Sequence, residues 1–275
     1  MSLKDIAKAA KAKKSASSVI SLIDTHLATR GGDQDRRDFK FHPSDLSTGF
    51  CPRAWLLYHY HPEGLSERDG LINPRLWRIF GNGHGVHDRI QGYMRDIGIL
   101  WGRYHNVRTG EEWWGFGYDL PEPRQQWVYT EVPLRHDGDD IKGHTDGLLK
   151  LDTGKWVLEI KSINDYGFSW LQDEAKEPHQ KQGRLYEHCL AWRRENIPHV
   201  DDFDAEPIAG VIFLYESKNT QDLFEAEMPA DPDEVDELMG ELRPLMEIAR
   251  EWIPGELMPA CTCTKKKTIC SSLEL

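Results

Sequence analysis

Long hydrophobic runs are missing from this chain of 275 residues. No apolar stretch approaches the roughly 20 residues needed to cross a bilayer, and the basic start from Lys4 to Lys14 lacks the hydrophobic stretch of a secretory signal. No membrane span is expected, and the expected location is intracellular. Positive charge is also short: 34 Lys and Arg face 46 Asp and Glu, a net charge of -12. That excludes binding of a polyanion through a broad basic surface and leaves local positive patches or metal ions to hold one. Cysteine is scarce and unevenly placed. Five cysteines without an export signal argue against a disulfide framework and for metal binding or buried thiols. Neither an internal repeat nor a low-complexity tract is present. What remains is an ordinary globular composition, 39% hydrophobic, long enough for a sizeable core with appendages.

Periodicity divides the chain coarsely. Residues 4–28 are rich in Ala and Lys and predict a helix, followed by a polar linker from Thr29 to about Lys40; residues 1–44 are therefore expected to form an arm. Helices are predicted from Cys51 to Tyr60 and from Leu76 to Ile97. Residues 98–126, rich in Trp, Gly and Pro, predict loops or short strands. Trp127–Leu134 alternates as a strand. Pro178 opens a predicted helix reaching about Arg194, with Leu185, Cys189 and Leu190 on its apolar side and Lys181, Arg184 and Arg194 toward solvent. Strands are predicted at Ala209–Tyr215 and Leu223–Met228. Strand, helix, strand implies a crossover that returns the chain parallel to the preceding strand. Asp231-Pro232-Asp233-Glu234 then combines an N-cap, a first-turn proline and a capping-box acid, opening a last helix that runs toward Trp252 with a kink near Pro244.

The chemistry lies between these elements. Leu148–Leu151 and Trp156–Ile163 flank the turn Asp152-Thr153-Gly154-Lys155 and predict an antiparallel hairpin. With Asp152 facing Lys155, Asp146 falls opposite Lys161, and alternation places Asp146, Glu159 and Lys161 on one face. Cross-strand neighbours lie within roughly 5–7 Å, so two carboxylates can share a divalent cation and a lysine can reach the same phosphate. An acid two residues before a lysine is common in this chain: Asp38/Lys40, Asp140/Lys142, Glu174/Lys176 and Glu216/Lys218 repeat it. Only Glu159/Lys161 sits in an apolar strand with an Asp on its partner.

The order of motifs resembles the RecB-type branch of the PD-(D/E)XK nuclease superfamily. Gly83-x-x-x-His87 falls in a helix, Gly143-x-x-Asp146 and Glu159-x-Lys161 in strands, and Gln182-x-x-x-Tyr186 in a later helix, a likeness covering roughly residues 45–270. Cys51 upstream, with Cys261, Cys263 and Cys270 in the tail, makes the chain look most like the iron-sulfur CRISPR-associated exonucleases (protein four of that system) and their phage-encoded relatives. The resemblance implies an α/β fold. Its PD-(D/E)XK, restriction-endonuclease-like core would run helix, three strands, helix, strand, with a mixed central sheet flanked by helices. The nuclease domain would span residues 45–260, and a 261–275 tail would complete a cluster site with Cys51. It further implies a metal-dependent DNA exonuclease acting on single-stranded ends, working in recombination, repair or CRISPR spacer acquisition, as a homo-oligomer or with a partner protein.

By the same resemblance, His87, Asp146, Glu159 and the carbonyl of Ile160 would hold Mn2+ or Mg2+, the imidazole tilting the choice toward Mn2+. Lys161 would act electrostatically. Gln182 and Tyr186 would face the DNA backbone, against the alternative of a core tyrosine with a capping glutamine. His87 has the alternative of a helix-packing histidine. Cys51, Cys261, Cys263 and Cys270 would hold a 4Fe-4S cluster, although Cys-x-Cys-x6-Cys departs by one position from the family's Cys-x-x-Cys-x5-Cys, and a four-cysteine zinc site stays open. Glu131 either positions Lys161 or a second metal, or is a plain strand-face carboxylate. His84 and His144 neighbour motif positions without occupying them. Trp170 and Trp192 suit base stacking, yet among ten Trp packing is the expected role. A non-cleaving DNA-binding or assembly protein of the same fold, or a zinc-stapled DNA-binding domain, remains the alternative function.

Overall fold

In a computed structural model the described residues are 19–29, 39–60 and 74–263. Four helices come first: α1 (Val19–Thr29), α2 (Pro43–Leu46), α3 (Pro52–Tyr60) and α4 (Pro74–Ile97). The last three each begin on a proline, whose fixed φ and missing N–H suit a first helical position. Strands β1 (Leu100–Asn106), β2 (Glu112–Phe116), β3 (Trp127–Thr130), β4 (Val132–His136), β5 (Ile141–Thr145), β6 (Gly147–Leu151) and β7 (Gly154–Ile163) follow. Then come α5 (Asp165–Phe168), α6 (Glu177–Asn196), α7 (Asp202–Ala205), β8 (Ile208–Ser217), β9 (Leu223–Pro229) and α8 (Pro232–Glu251).

Seven strands form a mixed sheet in the order β2-β1-β6-β7-β8-β9, with β3 alongside β1; β4 and β5 make a separate antiparallel pair. β7 and β8 run parallel, joined through α6, as the crossover expectation requires. The two faces of the large sheet carry different cores. Val157, Val211, Phe213 and Tyr215 pack with Leu185, Tyr186 and Cys189 of α6 and with Met239, Leu242 and Met246 of α8. Trp156, Leu158, Ile160, Ile212 and Leu214 pack with Val86 and Ile90 of α4. The protein is thus a mixed α/β fold with a central sheet between helices.

Gly183 lets α6 lie close to the sheet. A Cβ there would come within 2.7 Å of Met228 and 2.9 Å of Phe213, and this close approach carries its neighbour Gln182 down to β7. Asp231 caps α8 as predicted, accepting from the amides of Asp233 and Glu234 at 3.0 and 3.1 Å.

Several expectations change. Trp127–Leu134 splits at Glu131, because β3 pairs with β1 while β4 pairs with β5; three strands before the long helix become seven. The β6–β7 register is Leu151 opposite Gly154, two residues from the predicted one, with Asp152 and Thr153 as the turn. Arg184 is buried under α8, held by Glu187 at 2.6 Å and Glu234 at 2.7 Å. The last helix keeps its expected extent, α8 running through Pro244 to Glu251 with Trp252 next. Phe41, within the expected 1–44 arm, is fully buried and bridges to Ile141. No helix among the described residues is long and apolar enough to cross a membrane. The start of the predicted 4–28 helix and Cys270 lie outside the described residues.

Candidate active site

β6 begins at Gly147, opposite Leu158, while its partner β7 runs on to Ile163. Beyond that rung no strand among the described residues lies beside the β6 edge of β7, and its backbone groups need other partners. Thr145 and Asp146, crossing from the small sheet to the large one, supply them. The Thr145 hydroxyl lies 3.1 Å from the Leu158 carbonyl. Asp146 Oδ2 accepts the Ile160 amide at 2.6 Å. The predicted rung between Asp146 and Lys161 is replaced: Asp146 fills the gap at the end of β6, where the Ile160 N–H meets its carboxylate. Gly147 makes the crossing possible, since a Cβ there would strike Leu100 at 2.7 Å.

The other oxygen of Asp146 faces α4. His87 Nδ1 stands 3.2 Å from Asp146 Oδ1, and Gln91, one turn further along the same helix face, donates to the Asp146 carbonyl at 2.9 Å. Glu131, at the break between β3 and β4, completes the group. Ligand atoms of His87, Glu131 and Asp146 all lie within 4.8 Å of one another. Burial works against charge on His87, but the Asp146 bond and the charges of Asp146, Glu131 and Glu159 prevail and hold its pKa above the ordinary value. Burial and Asp146 together raise Glu131.

Glu159 lies on the α6 face of β7 inside a closed ring of hydrogen bonds. Lys161 Nζ donates to Glu159 Oε1 and to Gln182 Oε1 at 3.1 Å. Gln182 Nε2 donates to the Tyr186 hydroxyl at 2.5 Å, and that hydroxyl donates to Glu159 Oε2 at 2.7 Å. Burial, with Asp146 nearby, pushes Glu159 up to about 7 against the pull of Lys161 and Tyr186. Gln182 and Tyr186 are buried, and both turn toward Glu159 and Lys161 in this ring.

Every predicted residue of the carboxylate site therefore converges on the end of β6, drawn from α4, β7 and α6. Glu131, with an undecided role in the sequence, stands in the tightest group, and Gln91 was missed; its spacing of four from His87 was the available signal. His84 and His144 are exposed outside the group.

The cysteines form a second site. Cys51 Sγ lies 4.0 Å from Cys261 Sγ across 210 residues of sequence, a distance that excludes a disulfide of about 2.05 Å, and Cys263 joins them within 4.8 Å. Cys51 immediately precedes α3. Burial works to raise its pKa, but hydrogen bonds from the backbone at Ala54 and Thr262 and from Cys263 bring it down to about 6, favouring the thiolate that metals bind. Cys189, by contrast, is a core thiol pushed up to about 12 by burial.

No protein-family model matches this chain, and no curated protein matches it. Among solved structures that match, one titled "Crystal structure of SSO0001" is 16% identical, covering 82% of this chain and 86% of that one, with a TM-score of 0.42. A likeness at that level fixes neither family nor activity.

Proposed function

We propose that this protein is a metal-dependent DNA exonuclease with a PD-(D/E)XK core of the RecB branch, acting from single-stranded ends in recombination, repair or spacer acquisition. The observation that carries the reading is the excess of negative charge at the end of β6. Three carboxylates, Glu131, Asp146 and Glu159, crowd the partly buried end of β6 with His87 and Lys161 to oppose them. Such crowding favours a bound cation. The donor set fits Mn2+ or Mg2+: carboxylate oxygens and one imidazole converge, and ionised Glu159 keeps lone pairs beyond the two that Lys161 and Tyr186 occupy.

His87, Glu131 and Asp146 would hold the cation, with Glu159 beside them. A divalent ion there would acidify an attacking water and offset charge on the phosphate oxygens. Asp146, fixed by the Ile160 amide, stays in place. Lys161 brings a positive charge to the phosphate that the carboxylates alone would repel. Tyr186 and Gln182 keep Glu159 and Lys161 in register, one bond from each ring member to the next. The experiment is end-labelled DNA with Mn2+, comparing the native protein with Glu159→Ala: cleavage is expected in the first and lost in the second. Equal cleavage by both, or none by either, overturns the reading.

The same proposal places an iron-sulfur cluster on Cys51, Cys261, Cys263 and Cys270, with zinc as the alternative occupant. The three described thiols come from opposite ends of the chain and suit either. Protein purified without oxygen is expected to be brown with visible absorption, and Cys51→Ser to lose the colour and melt at lower temperature. Colourless protein holding zinc identifies the alternative, and a metal-free protein as stable as before removes the staple altogether.

A further inference from the structure

The strand that carries Glu159 and Lys161 ends at Ile163 and passes through Asn164 into α5, and two aromatic rings, one in α5 and one in the turn after it, stand in solvent. Tyr166 is 74% exposed and Trp170 66% exposed, with ring centroids 5.9 Å apart. Packing, the expected role for Trp170, does not describe it. Nor is the segment loose. Asn164 caps α5, accepting the Gly167 amide at 2.7 Å; Asp165 is held by Ser217 and by Asn219 at 2.7 Å. The Lys218 amide donates to the Ile163 carbonyl at 2.8 Å. Phe168 and Leu171 turn inward onto the core. A backbone pinned on this side with its apolar side chains already seated leaves Tyr166 and Trp170 outside by construction, and rigid exposed aromatics mark a binding surface.

Positive charge bridges the gap to the carboxylates. The Lys176 ammonium lies against Gly167 of α5, within 3.2 Å of where a Cβ would stand. His179, hydrogen-bonded to the Tyr215 hydroxyl at 2.7 Å, sits between two lysines: burial first, then the charges of Lys161 and Lys176, push its pKa down to about 4. Lys161, neutral His179 and Lys176 therefore form a path from Glu159 to the aromatic pair. Cations along a path with aromatic rings at its end are what single-stranded nucleic acid requires, phosphates meeting the first and unpaired bases stacking on the second.

We propose that Tyr166 and Trp170 form a base-stacking platform that receives unpaired bases of the strand whose phosphate lies at Glu159 and Lys161. Placing the phosphate there rests on the nuclease reading. Bases in a duplex are already stacked and paired, so the platform selects single strands. Binding is read by fluorescence anisotropy on the native protein with EDTA present, using a labelled single-stranded oligonucleotide and an abasic oligonucleotide of equal length and charge. The ordinary strand is expected to bind about 10- to 100-fold more tightly, and the Tyr166→Ala/Trp170→Ala protein to lose that difference. Both side chains are exposed, so the melting temperature is expected to stay unchanged. In turnover with Mn2+ the double variant should raise KM for single strands and leave kcat within a few-fold. Equal affinity of the native protein for both probes, as would follow if the rings served a protein partner, overturns the platform, as does a preference that survives the double substitution. A base preference in a protein that cleaves nothing would instead uphold the platform and sink the nuclease reading.

Discussion

The His87–Glu131–Asp146 group and the His136–Asp139–His188 group both gather histidines and acids with ligand atoms within 4.8 Å of one another. In the second, the protein neutralises its own charge. Arg243 donates to both Asp139 oxygens at 3.1 Å, His188 Nε2 lies 2.8 Å from Oδ2, and His136 accepts the Asp139 amide at 3.0 Å. Burial raises the Asp139 pKa, but His188 and Arg243 outweigh it and hold the carboxyl well below the usual range. The result is a clamp that fastens the β4–β5 turn to α6 and α8. At the end of β6 the acids outnumber the cations, and Glu131 and Glu159 are shifted upward instead. Similar residue types thus make a structural tie where an arginine closes the charge; at the end of β6, among the described residues, no arginine does so, and on the proposed reading a cation takes that place.

The sharpest break of this comparison is Asp146→Asn. DNA cleavage is expected to fall by a factor on the order of 10² to 10³ with little loss of thermal stability, whereas a clamp residue would show the reverse. Added Mn2+ should separate the groups next. A cation bound only by the folded protein stabilises by about 2.7 kcal/mol at 100 times its Kd, so calorimetry should show a raised melting temperature in the native protein and in Asp139→Asn, and none in Asp146→Asn. Asp139→Asn itself should cost roughly 2–3 kcal/mol in urea unfolding, below the range for a fully buried pair because Arg243 is half exposed. Its cleavage per folded molecule should stay near native.

Acid gives a smaller difference. The Asp139 carboxyl is depressed in the folded state relative to an unfolded aspartate near about 3.9. Its stabilisation is therefore complete above about pH 4 and lost as pH falls through the folded value. Melting temperatures of the native protein are expected to drop more steeply below pH 4 than those of Asp139→Asn; parallel curves would show that the clamp stores no such energy.

Much of this arrangement was legible in the residues. The crossover, the β6–β7 hairpin, the cap at Asp231 and the convergence of His87, Asp146, Glu159, Lys161, Gln182 and Tyr186 follow from local pattern and motif order. What escaped depends on partners far away in the chain. Residues 98–126 lacked a clean period because Leu100 and Trp101 of β1 are both buried, covered on two faces. Arg184 reads as a solvent residue until α8, with Glu234, folds over it. The hairpin register slipped because a two-residue turn at Asp152-Thr153 satisfies the hydrophobic pattern as well as one at Thr153-Gly154, each partner moving by two and every side chain keeping its face. Glu131 gained its place only because β3 and β4 part company there, which depends on β1 and β5 rather than on neighbours in the chain.

The meeting of Cys51 with Cys261 has a temporal side. Cys51 emerges from the ribosome early, while the thiols it meets arrive 210 residues later, roughly 10–40 s at usual rates of synthesis. During that interval Cys51, at the leading end of α3, waits without its Cys261 and Cys263 neighbours. On the proposed reading, the metal that joins these sulfurs would be a last-installed part, inserted after the sheet and its carboxylates have been translated.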